Sequence, residues 1–487
     1  MKLSELLHGI RGMNTLNVKE ATVDIHHIEM DSREVRPGTL FFCINGYTVD
    51  GHDFAQSAYE KGAVAIVSER PLDVPIPVFV VRDTKRTMAQ LSNRFYDHPT
   101  KKLQLIGVTG TNGKTSVTHI LEQLFKGQNR TTGLIGTMYT KIDDVYIETK
   151  NTTPESLVLQ QRFQEMVDKQ VDTALMEVSS HALHLGRVRG CDFDIAIFTN
   201  LSPDHIDYHQ SMDHYMYAKS LLFSQLGNTY EGKTAIFNGD DQVADQLIQM
   251  TTADIITYGI KKQADVMASN IRAAATGTTF TLTVFGESIE VQTRLIGLFN
   301  VYNVLAAVSA AYVSNISLSA IQQGLESIEG IAGRFEAIDS GQDFAVIVDY
   351  AHTPDSLENV LKTVQDFANN QIRVVVGCGG DRDKTKRPIM GEIAVKYADE
   401  TIFTSDNPRT EDPTTILQEM TAGLDRDQYR LIVDRSEAIH YAMKQAKTND
   451  IIIIAGKGHE TYQEVGRERT HFDDREVARA ALKERIK

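Results

Sequence analysis

The sequence predicts an α/β protein of three domains: a small α/β N-terminal domain, a central domain with a mostly parallel sheet and appended antiparallel strands, and a C-terminal doubly wound domain. Three observations predict this architecture. The 487 residues are too many for one hydrophobic core and fit about three domains of roughly 150 residues each. Compact apolar runs alternate with amphipathic stretches along most of the chain. Polar or glycine-rich segments follow many of these runs, as expected at the carboxyl ends of parallel strands.

The N-terminal domain is predicted over residues 1–100. Short apolar runs (TLFFCI, VAIVS and VFVV) alternate there with helix-like stretches such as FAQSAYEKG and TMAQLSNRFYDH. This alternation is typical of a small α/β unit. We interpret the polar segment DHPTKK as the linker to the next domain.

The central domain is predicted over residues 101–332. Its apolar runs LQLIGVTG, TGLIGT, TALMEV, IAIFTN and TAIFNGD are compact, and amphipathic segments follow most of them. This pattern predicts a largely parallel sheet covered by helices on both faces. Between about 254 and 299 the segments TTFTLTVFG and ESIEVQTRLI alternate in polarity, which predicts antiparallel strands appended to that sheet.

The C-terminal domain is predicted over residues 333–487. The runs FAVIVDY, IRVVVGCGG, ETIFTSDN, YRLIVD and DIIIIAGKG each precede a helical stretch. A series of this kind is typical of a Rossmann-like, doubly wound sheet, in which ligands bind outside the carboxyl ends of the strands. We therefore expect the functional residues of both large domains at those ends.

Composition excludes several classes of function. The net charge of −15 argues against a nucleic-acid backbone or an anionic membrane as the main partner, because either favours clustered Lys and Arg. The three cysteines are far apart in the chain, so neither a disulfide framework nor a zinc-ligand spacing is present. The first residues lack the apolar stretch of a signal peptide, and the run IIIIAG is too short to span a bilayer. We expect a cytoplasmic protein.

A phosphate-binding loop is predicted where the strand LIGVTG meets the helix that begins in GKTSVTHILEQLF. Backbone N–H groups in such a glycine turn can hold a polyphosphate at the helix N-terminus. Lys114 would place a charge near the β- and γ-phosphates, and the Thr115 hydroxyl can bind Mg²⁺. The usual first glycine is replaced by Val108, and glycines alone would fit an ordinary turn. The strand, loop and helix together favour a P-loop-type ATP site formed by Gly110, Thr111, Asn112, Gly113, Lys114, Thr115 and Ser116.

Motifs along essentially the whole chain resemble the Mur ligase family. They are GTNGKTS, EVSSH, NLSPDHIDYH, GLFNVYN, GRFE, DYAHTP and GCGGDRD. The segments NTTPE (151–155), EVSSHAL and DNPR resemble the members that add the third residue to the UDP-linked peptidoglycan precursor. The resemblance implies a UDP-sugar-binding N-terminal domain, an ATP-binding central domain and an amino-acid-binding C-terminal domain.

An ATP-dependent amide ligase brings a carboxylate against a polyphosphate, so cations must stand between the two anions. Thr115, Glu177 and His205 are candidates for holding them, and the resemblance implies two Mg²⁺ ions there. It also implies that Lys219 is carbamylated and helps to hold Mg²⁺. From the sequence alone, Lys219 could instead be a solvated surface charge, and His205 with His209 could be a surface pair at helical spacing.

The resemblance also assigns the rest of the nucleotide site. It places Asn303 at the adenine, Arg334 at the phosphates and Asp349 at the ribose, with His352 nearby. A guanidinium can offset charge on a transferred phosphoryl group, so Arg334 joins Lys114 and the metal-holding groups as a predicted catalytic residue. An ordinary surface arginine at a domain hinge is the alternative.

For the UDP-linked substrate, the resemblance implies Ser32 on the uridine side. Around the muramoyl-peptide part it implies Asn151, Thr152, Thr153, Ser179 and Arg187. Hydroxyls at such positions are equally common as helix caps. Some relatives carry a polar Gln where this chain has Leu185, so that contact is expected to be absent.

The segment TSDNPRTED at 404–412 places one arginine among acids. A diaminopimelate acceptor carries a distal carboxylate, which a planar guanidinium can grip in a bidentate way. We interpret Arg409 as that clamp, and Asn407, Pro408, Asp406 and Glu460 as its neighbours in the acceptor pocket. The resemblance adds Arg382 and Gly456 to the pocket. The alternative is an exposed arginine that offsets Asp406 and Glu411.

Together these features predict a monomeric ligase that uses ATP and Mg²⁺ to join meso-2,6-diaminopimelate to the D-Glu γ-carboxylate of UDP-MurNAc-L-Ala-D-Glu through an acyl phosphate. The nearest alternatives are a lysine-adding ligase, which DNPR disfavours, and another ligase of the superfamily. NTTPE and a complete N-terminal domain disfavour a folylpolyglutamate synthetase. A regulatory ATP-binding module without ligase activity is the alternative from a different class.

Overall fold

The structure is a computed structural model that describes residues 1–11, 13–16, 23–46, 49–226, 232–274 and 276–486. It contains three main sheets, which follow one another along the chain. Each is covered by helices, so the predicted α/β fold class is confirmed. No helix within the described ranges combines the length and apolarity needed to cross a bilayer.

The first sheet has five strands in the order β1-β5-β4-β3-β2. Its strands pair in parallel except for β1, which is antiparallel to β5. Alternate residues of β3 face opposite sides: Leu40 and Phe42 join one core cluster, and Phe41 joins another. The elements are α1 (Leu3–Leu7), β1 (Asn14–Leu16), β2 (His27–Glu29), β3 (Thr39–Phe42), α2 (Ala55–Glu60), β4 (Ala63–Ser68), β5 (Val78–Val80) and α3 (Thr84–Phe95).

The central sheet has eleven strands in the order β16-β15-β14-β13-β12-β11-β6-β10-β7-β8-β9. Its strands are β6 (Gln104–Thr109), β7 (Thr132–Ile135), β8 (Thr140–Ile142), β9 (Val145–Ile147), β10 (Thr173–Glu177), β11 (Ile195–Phe198), β12 (Thr234–Asn238), β13 (Asp254–Gly259), β14 (Val266–Ala274), β15 (Gly277–Val284) and β16 (Glu287–Thr293). Its helices are α4 (Lys114–Lys126), α5 (Ser156–Asp168), α6 (Ser180–His184), α7 (Ile206–His209), α8 (Met212–Ser224), α9 (Ala244–Ile248), α10 (Leu298–Val313) and α11 (Leu318–Ser327).

Helices pack on both faces of this sheet, because both faces of its strands are apolar. On β6, Ile106 and Val108 join the cluster that contains α4, α10 and α11, whereas Leu105 joins the cluster on the opposite face with α5 and α8. This burial on both faces explains why the strand is a continuous apolar run rather than an alternating one.

The prediction of antiparallel strands between 254 and 299 is correct for only part of that segment. The pairs β14–β15 and β15–β16 are antiparallel, but β13 pairs in parallel with both β12 and β14. The reason is the short helix α9, which provides the crossover between β12 and β13 that parallel strands require. A second antiparallel extension, β7-β8-β9, lies at the other edge of the sheet and was not predicted.

The third sheet has six strands in the order β17-β18-β22-β19-β20-β21, and a separate hairpin follows it. Its strands are parallel apart from β17. The elements are β17 (Glu336–Ala337), β18 (Ala345–Asp349), α12 (Pro354–Gln365), β19 (Ile372–Val376), α13 (Lys386–Tyr397), β20 (Glu400–Phe403), α14 (Pro413–Met420), β21 (Tyr429–Leu431), α15 (Arg435–Gln445), β22 (Ile451–Ala455), β23 (Tyr462–Val465), β24 (Glu468–His471) and α16 (Asp474–Ile486).

The run IIIIA forms the centre of this third sheet as β22. Ile451 and Ile453 pack under α12 and α13, whereas Ile452 and Ile454 pack under α15 and α16. Each fully buried isoleucine stabilises the fold by roughly 1.5–3 kcal/mol relative to an exposed one. The rigid centre holds the strand ends that carry Asp349, Gly456 and Asp406 in fixed positions.

Candidate active site

The loop between β6 and α4 has the geometry of a phosphate cradle. Gly110 has a φ of +150° and Gly113 a φ of +87°. A Cβ on Gly113 would lie 2.3 Å from Oδ1 of Asn303, and one on Gly110 would lie 1.9 Å from Oγ1 of Thr199. Only glycine fits at either position, so the backbone can approach a ligand closely.

The side chain of Lys114 folds back onto this loop. Its Nζ donates to the carbonyl oxygens of Gly110 (2.9 Å) and Thr111 (2.7 Å). Burial lowers the pKa of Lys114, and the nearby carboxylates of Glu177 and Asp204 oppose that effect. The ammonium therefore lies at the first turn of α4, where the helix dipole also favours an anion.

Glu177, at the end of β10, is buried and linked to the loop through hydroxyl groups. Thr115 Oγ1 donates to its Oε2 at 3.0 Å. Thr137, which the sequence analysis did not identify, donates its N–H to Oε1 at 2.9 Å and its hydroxyl to Oε2 at 3.0 Å. Thr137 follows a short strand without a recognisable motif, so no sequence signal marked it.

Arg334 reaches this centre from the start of the third region. Its Nη2 donates to Oγ1 of Thr115 at 3.0 Å, and its guanidinium lies 4.5 Å from the centre of the Tyr350 ring. Its Nε is buried and has no hydrogen-bond partner among the described residues. The arginine is thus held at the phosphate loop with a donor to spare, which the surface-hinge alternative does not explain.

These groups fit Mg²⁺ that arrives with a nucleotide. Within the described ranges, no group of three or more His, Cys, Asp or Glu side chains is arranged to hold a metal alone. Mg²⁺ is commonly held by one or two carboxylates together with substrate phosphates and water. The Thr115 hydroxyl and the Glu177 carboxylate, 3.0 Å apart beside the loop, are a donor set of that kind.

Lys219 is not a solvated surface residue. It lies on α8 with only 1% of its surface exposed, and its Nζ donates to the carbonyl oxygen of Gly110 at 2.8 Å. The ammonium also lies 4.3 Å from the centre of the Tyr215 ring. Burial and the neighbouring Lys114 hold the pKa of Lys219 well below its usual range. The lysine is therefore both close to the loop and biased towards the neutral amine.

His205 and His209 have different surroundings, which argues against a simple surface pair. His205 is half-exposed, with a φ of +55°, and its Nε2 lies 3.4 Å from Oδ2 of Asp204. His209 is buried, and its Nε2 hydrogen-bonds with Oγ of Ser180 at 2.9 Å. Burial lowers the pKa of His209 to about 4, so it is neutral at pH 7. Only His205 of the two is open to a ligand.

A cavity of about 610 Å³ lies between the phosphate loop, α10 and α12. Seven of the residues predicted for the nucleotide line it: Asn112, Gly113, Ser116, Asn303, Arg334, Asp349 and His352. Asp349 accepts a hydrogen bond from the backbone N–H of Phe335 at 2.7 Å, and burial raises the pKa of its carboxyl to about 6. The cavity joins the central and third regions around one space.

Asp355 also lines this cavity and was missed by the sequence analysis. Its Oδ2 accepts from Nδ2 of Asn112 at 2.8 Å and from Oγ of Ser202 at 2.9 Å. It stands in the first turn of α12, where an acidic residue after proline is an ordinary feature of a helix start. This common local role concealed its contacts with two loops of the central region.

The residues predicted around the muramoyl peptide lie next to Glu177 but are partly engaged with one another. Thr153 is buried: its Oγ1 donates to the carbonyl oxygen of Glu177 at 2.8 Å and accepts from the N–H of Ser179 at 3.0 Å. The Ser179 hydroxyl caps α6. Arg187 donates to the carbonyl oxygen of Thr153 at 3.1 Å and pairs with Glu155 at 2.8 Å. These contacts shape the wall of the site.

Three more predicted residues are nearer to solvent. Thr152 places its hydroxyl 3.0 Å from that of Thr137, and Asn151 is exposed. Ser32 lies apart from them in the first region, where its carbonyl oxygen accepts from Nζ of Lys61 at 2.9 Å. The predicted substrate contacts therefore extend from the phosphate loop to the N-terminal sheet.

The DNPR turn follows β20 at the carboxyl edge of the third sheet. The backbone N–H of Gly380 donates to the carbonyl oxygen of Asn407 at 2.9 Å, so this turn and the GGDRD turn are joined. Arg409 has a φ of +51°, and its Nη1 donates to the carbonyl oxygen of Gly380 at 2.8 Å. Pro408 is buried beneath them. The rigid turn fixes the direction of the Arg409 side chain.

Arg409 does not pair with the acidic residues that lie next to it in the sequence. In the described structure its Nε lies 3.4 Å from Oε2 of Glu464, in the following hairpin. Glu411 is bound instead by Arg387 at 2.9 Å and Lys384 at 2.9 Å. The alternative of an arginine that offsets Asp406 and Glu411 is therefore not supported.

The other residues predicted for the acceptor lie in or beside the DNPR and GGDRD turns. Arg382 is exposed and donates to the carbonyl oxygen of Asp381 at 2.9 Å. A Cβ on Gly456 would lie 2.7 Å from Oδ2 of Asp406, so this glycine leaves room beside that carboxylate. Glu460 is largely buried, and burial together with the nearby Asp406 raises the pKa of its carboxyl. Cationic and anionic groups thus lie at different positions along the same edge of the third sheet.

Models of three related domains match the chain in order. They are the Mur ligase family, catalytic domain (residues 24–96), the Mur ligase middle domain (108–311) and the Mur ligase, glutamate ligase domain (333–458). Their matched ranges lie over the three sheets described above.

Similar proteins extend over the full length. One from Halalkalibacterium halodurans is 59% identical over 485 residues, covering 100% of this chain and 99% of its own. One from Bacillus licheniformis is 56% identical over 487 residues, covering 99% and 100%. Both are described as UDP-N-acetylmuramoyl-L-alanyl-D-glutamate--2,6-diaminopimelate ligase.

Solved structures agree with this match. A structure described by the same ligase name has a TM-score of 0.72 at 35% identity, covering 100% of this chain and 99% of its own. The MurF ligase from Thermotoga maritima in complex with ADP has a TM-score of 0.66 at 18% identity, covering 96% and 100%. The second likeness bears on the fold alone.

Proposed function

The chain belongs to the Mur ligase family, and on this basis we propose that it is an ATP-dependent amide ligase. It adds meso-2,6-diaminopimelate to the D-Glu γ-carboxylate of UDP-MurNAc-L-Ala-D-Glu, a step in peptidoglycan precursor synthesis. Relatives that share 59% and 56% of their residues with it over the full length carry this activity in their names. The proposed division of labour is UDP-sugar binding by residues 1–100, ATP binding by 101–332 and amino-acid binding by 333–487.

One observation carries this proposal: a single centre is built from both large regions. Arg334 and Thr115 are 219 positions apart in the chain, yet Nη2 of Arg334 donates to the Thr115 hydroxyl at 3.0 Å. A simple ATP-binding module could complete its phosphate site within one region. A ligase must bring a phosphorylated carboxylate to a second substrate, and a site at the junction of two regions serves that purpose.

The proposed chemistry has two steps. An oxygen of the γ-carboxylate bonds to the γ-phosphorus of ATP while the bond from that phosphorus to the bridging oxygen breaks, so ADP leaves with the electron pair. The acceptor amine then bonds to the carbonyl carbon of the acyl phosphate, the carbon–oxygen bond to phosphate breaks, and the amine loses a proton. The protein contributes mainly position and charge, because no covalent bond to a side chain is needed.

Each charged residue has a proposed role in that centre. Lys114 and Arg334 offset charge on the phosphates. Thr115 and Glu177 would hold one Mg²⁺, and His205 with a carbamylated Lys219 would hold the second. Bound Mg²⁺ supplies positive charge between the two anionic substrates. Thr137 is not a proposed metal ligand, but it donates to both oxygens of the Glu177 carboxylate and keeps it oriented.

We propose that Arg409 selects the acceptor. Its side chain is only 19% exposed and is fixed by Gly380 and Glu464, so a partner of matched geometry is needed to use the remaining donors of the guanidinium. The distal carboxylate of meso-diaminopimelate is such a partner, and lysine lacks it. A site built around a polar contact of this kind can reject the incomplete analogue by about 10⁴- to 10⁵-fold.

Phosphate release tests this function. The protein is mixed with ATP, Mg²⁺ and UDP-MurNAc-L-Ala-D-Glu, and the rate is measured with meso-diaminopimelate, L-lysine, D-alanyl-D-alanine or no acceptor. We expect rapid release only with meso-diaminopimelate. Equal turnover of lysine would show that Arg409 does not select the acceptor, and ATP hydrolysis independent of both other substrates would favour a regulatory module.

A further inference from the structure

Lys457 lies in the segment GKGHE, between Gly456 and Glu460 of the proposed acceptor pocket. It is fully buried, with 0% of its surface exposed. A lysine is almost never fully buried unless its charge is paired. Its Nζ donates to Oδ1 of Asn407 and to Oε2 of Glu460, each at 2.9 Å. The Lys457 ammonium therefore links Asn407 of the DNPR turn to Glu460 at the end of the GKGHE segment.

These contacts leave the Asn407 amide only one orientation. Its Oδ1 accepts from Lys457 and also from the backbone N–H of Glu464 at 3.0 Å. Both partners are donors, so the oxygen must face them. The amide nitrogen must then point the other way, where Nδ2 donates to Oε2 of Glu460 at 2.8 Å.

The carboxylate of Glu460 is oriented in turn. Both Lys457 and Asn407 donate to its Oε2, whereas Oε1 accepts no hydrogen bond from the residues that the structure describes and is left for another donor. The charged groups facing Glu460 from other elements are Asp406, in the DNPR turn after β20, and Arg435, at the start of α15. Tyr350 and Tyr462 are the titratable phenols near it. Without a local cation, the carboxylates of Asp406 and Glu460 would repel each other and favour protonation.

We propose that Lys457 is a positioning residue for the acceptor: it holds Asn407 and Glu460 so that Oε1 of Glu460 receives an ammonium group of the incoming amino acid. This inference rests on the proposed function, because it names a further determinant of the same pocket. It assigns Lys457 no direct contact with the substrate. The residue acts through the direction and the charge of Glu460.

The test compares Lys457→Met with wild type in the phosphate-release assay. We expect the KM for meso-diaminopimelate to rise about 10- to 100-fold, since a buried acidic group loses its charged partner. The KM values for ATP and for UDP-MurNAc-L-Ala-D-Glu should stay within about twofold, because those substrates bind at other places. Lys457→Arg should recover part of the loss. A Lys457→Met enzyme with an unchanged KM for meso-diaminopimelate would overturn the proposal.

Lys141→Met is the matched control. Lys141 is also a buried lysine paired with an acid, Glu122 at 2.9 Å, but it lies on β8, outside the acceptor pocket. It should lower the melting temperature without changing the KM for meso-diaminopimelate. An equal rise in KM with this control would mean that Lys457 has a general structural role, and the proposal would be wrong.

If the Lys457→Met protein does not fold, a second comparison replaces the first. The double variant Lys457→Met/Glu460→Gln removes both charges and is compared with Glu460→Gln alone. If Lys457 acts through Glu460, the two variants have the same KM for meso-diaminopimelate. A further rise of this KM in the double variant would contradict that route.

A wild-type protein that does not use meso-diaminopimelate would reject the proposed function, and the role of Lys457 with it. A wild-type protein that does, with an unaffected variant, would reject only the role of Lys457.

Discussion

Under the proposed function, Arg409 is the residue that determines which amino acid the ligase accepts. Its backbone is held in the left-handed region by the turn, and its side chain is fixed between Gly380 and Glu464. An arginine held in this way has already lost much of its side-chain freedom, so binding a carboxylate costs less conformational entropy. The choice of arginine rather than lysine matters because only a guanidinium forms a planar, bidentate pair.

Arg409→Ala should therefore raise the KM for meso-diaminopimelate about 30-fold or more, because a desolvated charge pair is truncated on one side. The KM for lysine should change little, so the ratio of the two kcat/KM values should fall. Steady-state phosphate release with both acceptors measures this. Arg430→Ala is the control, since Arg430 is an exposed arginine paired with Glu400 in another part of the third sheet. An unchanged ratio would exclude Arg409 as the selector.

The second prediction for a single residue concerns the carbamylation of Lys219. A lysine adds CO₂ only as the neutral amine, and burial holds the pKa of Lys219 well below its usual value. The neutral fraction at pH 7–8 is therefore larger than for an exposed lysine. The resulting carbamate would carry negative charge into a site that already holds Lys114 nearby, which favours its formation.

Lys219→Ala should lose activity about 100-fold or more, as expected when an electrostatic group of the active centre is removed. Acetate or formate should restore part of the activity, because a small carboxylate can occupy the space that the side chain leaves. Chloride at the same ionic strength is the control. A fully active Lys219→Ala enzyme, or equal rescue by chloride, would contradict carbamylation.

At the scale of elements, the strongest sequence signals predicted the strands correctly. All five parallel strands of the third sheet, including IIIIA, follow from continuous apolar runs bounded by polar turns. The hairpins β8–β9 and β23–β24 were missed because their strands have only three or four residues, and because β9, β23 and β24 bury none of theirs. Such short strands have little apolar periodicity, and their pairing is set by the turn between them.

The missed hairpin β23–β24 has a consequence for the site. Arg409 donates its backbone N–H to the carbonyl oxygen of Glu464 at 3.0 Å, and its own carbonyl oxygen accepts from Gly466 at 2.7 Å. The hairpin therefore pairs with the DNPR turn and supplies the Glu464 carboxylate. Local sequence predicted the arginine, but its true partner lies 55 positions later and could not be inferred from neighbours.

The contact that anchors helix α16 leads to a prediction about the free energy of unfolding. Arg435 and Asp474 form a fully buried ion pair at 2.7 Å, and Arg435 also donates to the carbonyl oxygen of Ala455 at 2.9 Å. Asp474→Ala leaves the guanidinium buried without its acid, which should cost about 3–5 kcal/mol. Urea unfolding followed by circular dichroism measures the loss. Glu476→Ala, on the exposed face of the same helix, should change stability by less than about 0.5 kcal/mol. Equal effects would show that the buried pair does not anchor α16.

At the scale of the whole molecule, the sequence predicted functional residues at the carboxyl ends of the strands but could not predict how the sheets lie against each other. Residues such as Lys114, Asn303 and Arg334 could be predicted for the site because their motifs are local. Thr137 and Asp355 were missed because their roles depend on contacts across the molecule. A hydroxyl or carboxylate in a turn has an ordinary local explanation, and only the three-dimensional arrangement reveals the second role.

Asp355 links the third region to the central region through hydrogen bonds, and the last prediction concerns this link. The carboxylate at the start of α12 accepts from Asn112 in the phosphate loop and from Ser202 in the segment NLSPDH. Both partners belong to the central region and, with Asp355, line the cavity between the phosphate loop, α10 and α12. The contact therefore favours the arrangement in which the two regions enclose the nucleotide, a closure that completes active sites in many enzymes.

Asp355→Ala leaves two polar groups at the junction without their acceptor, so closure should become less favourable. We expect kcat/KM for ATP to fall about 10- to 100-fold, because Asn112 and Ser202 are partly buried and an unpaired polar group at such a junction costs up to about 1–3 kcal/mol. The melting temperature should change little, since Asp355 is not part of a hydrophobic core. Asp339→Ala, which removes an exposed carboxylate near the start of the third region, should leave kcat/KM unchanged. A lower melting temperature with normal kcat/KM would show that Asp355 stabilises the fold rather than the closed arrangement.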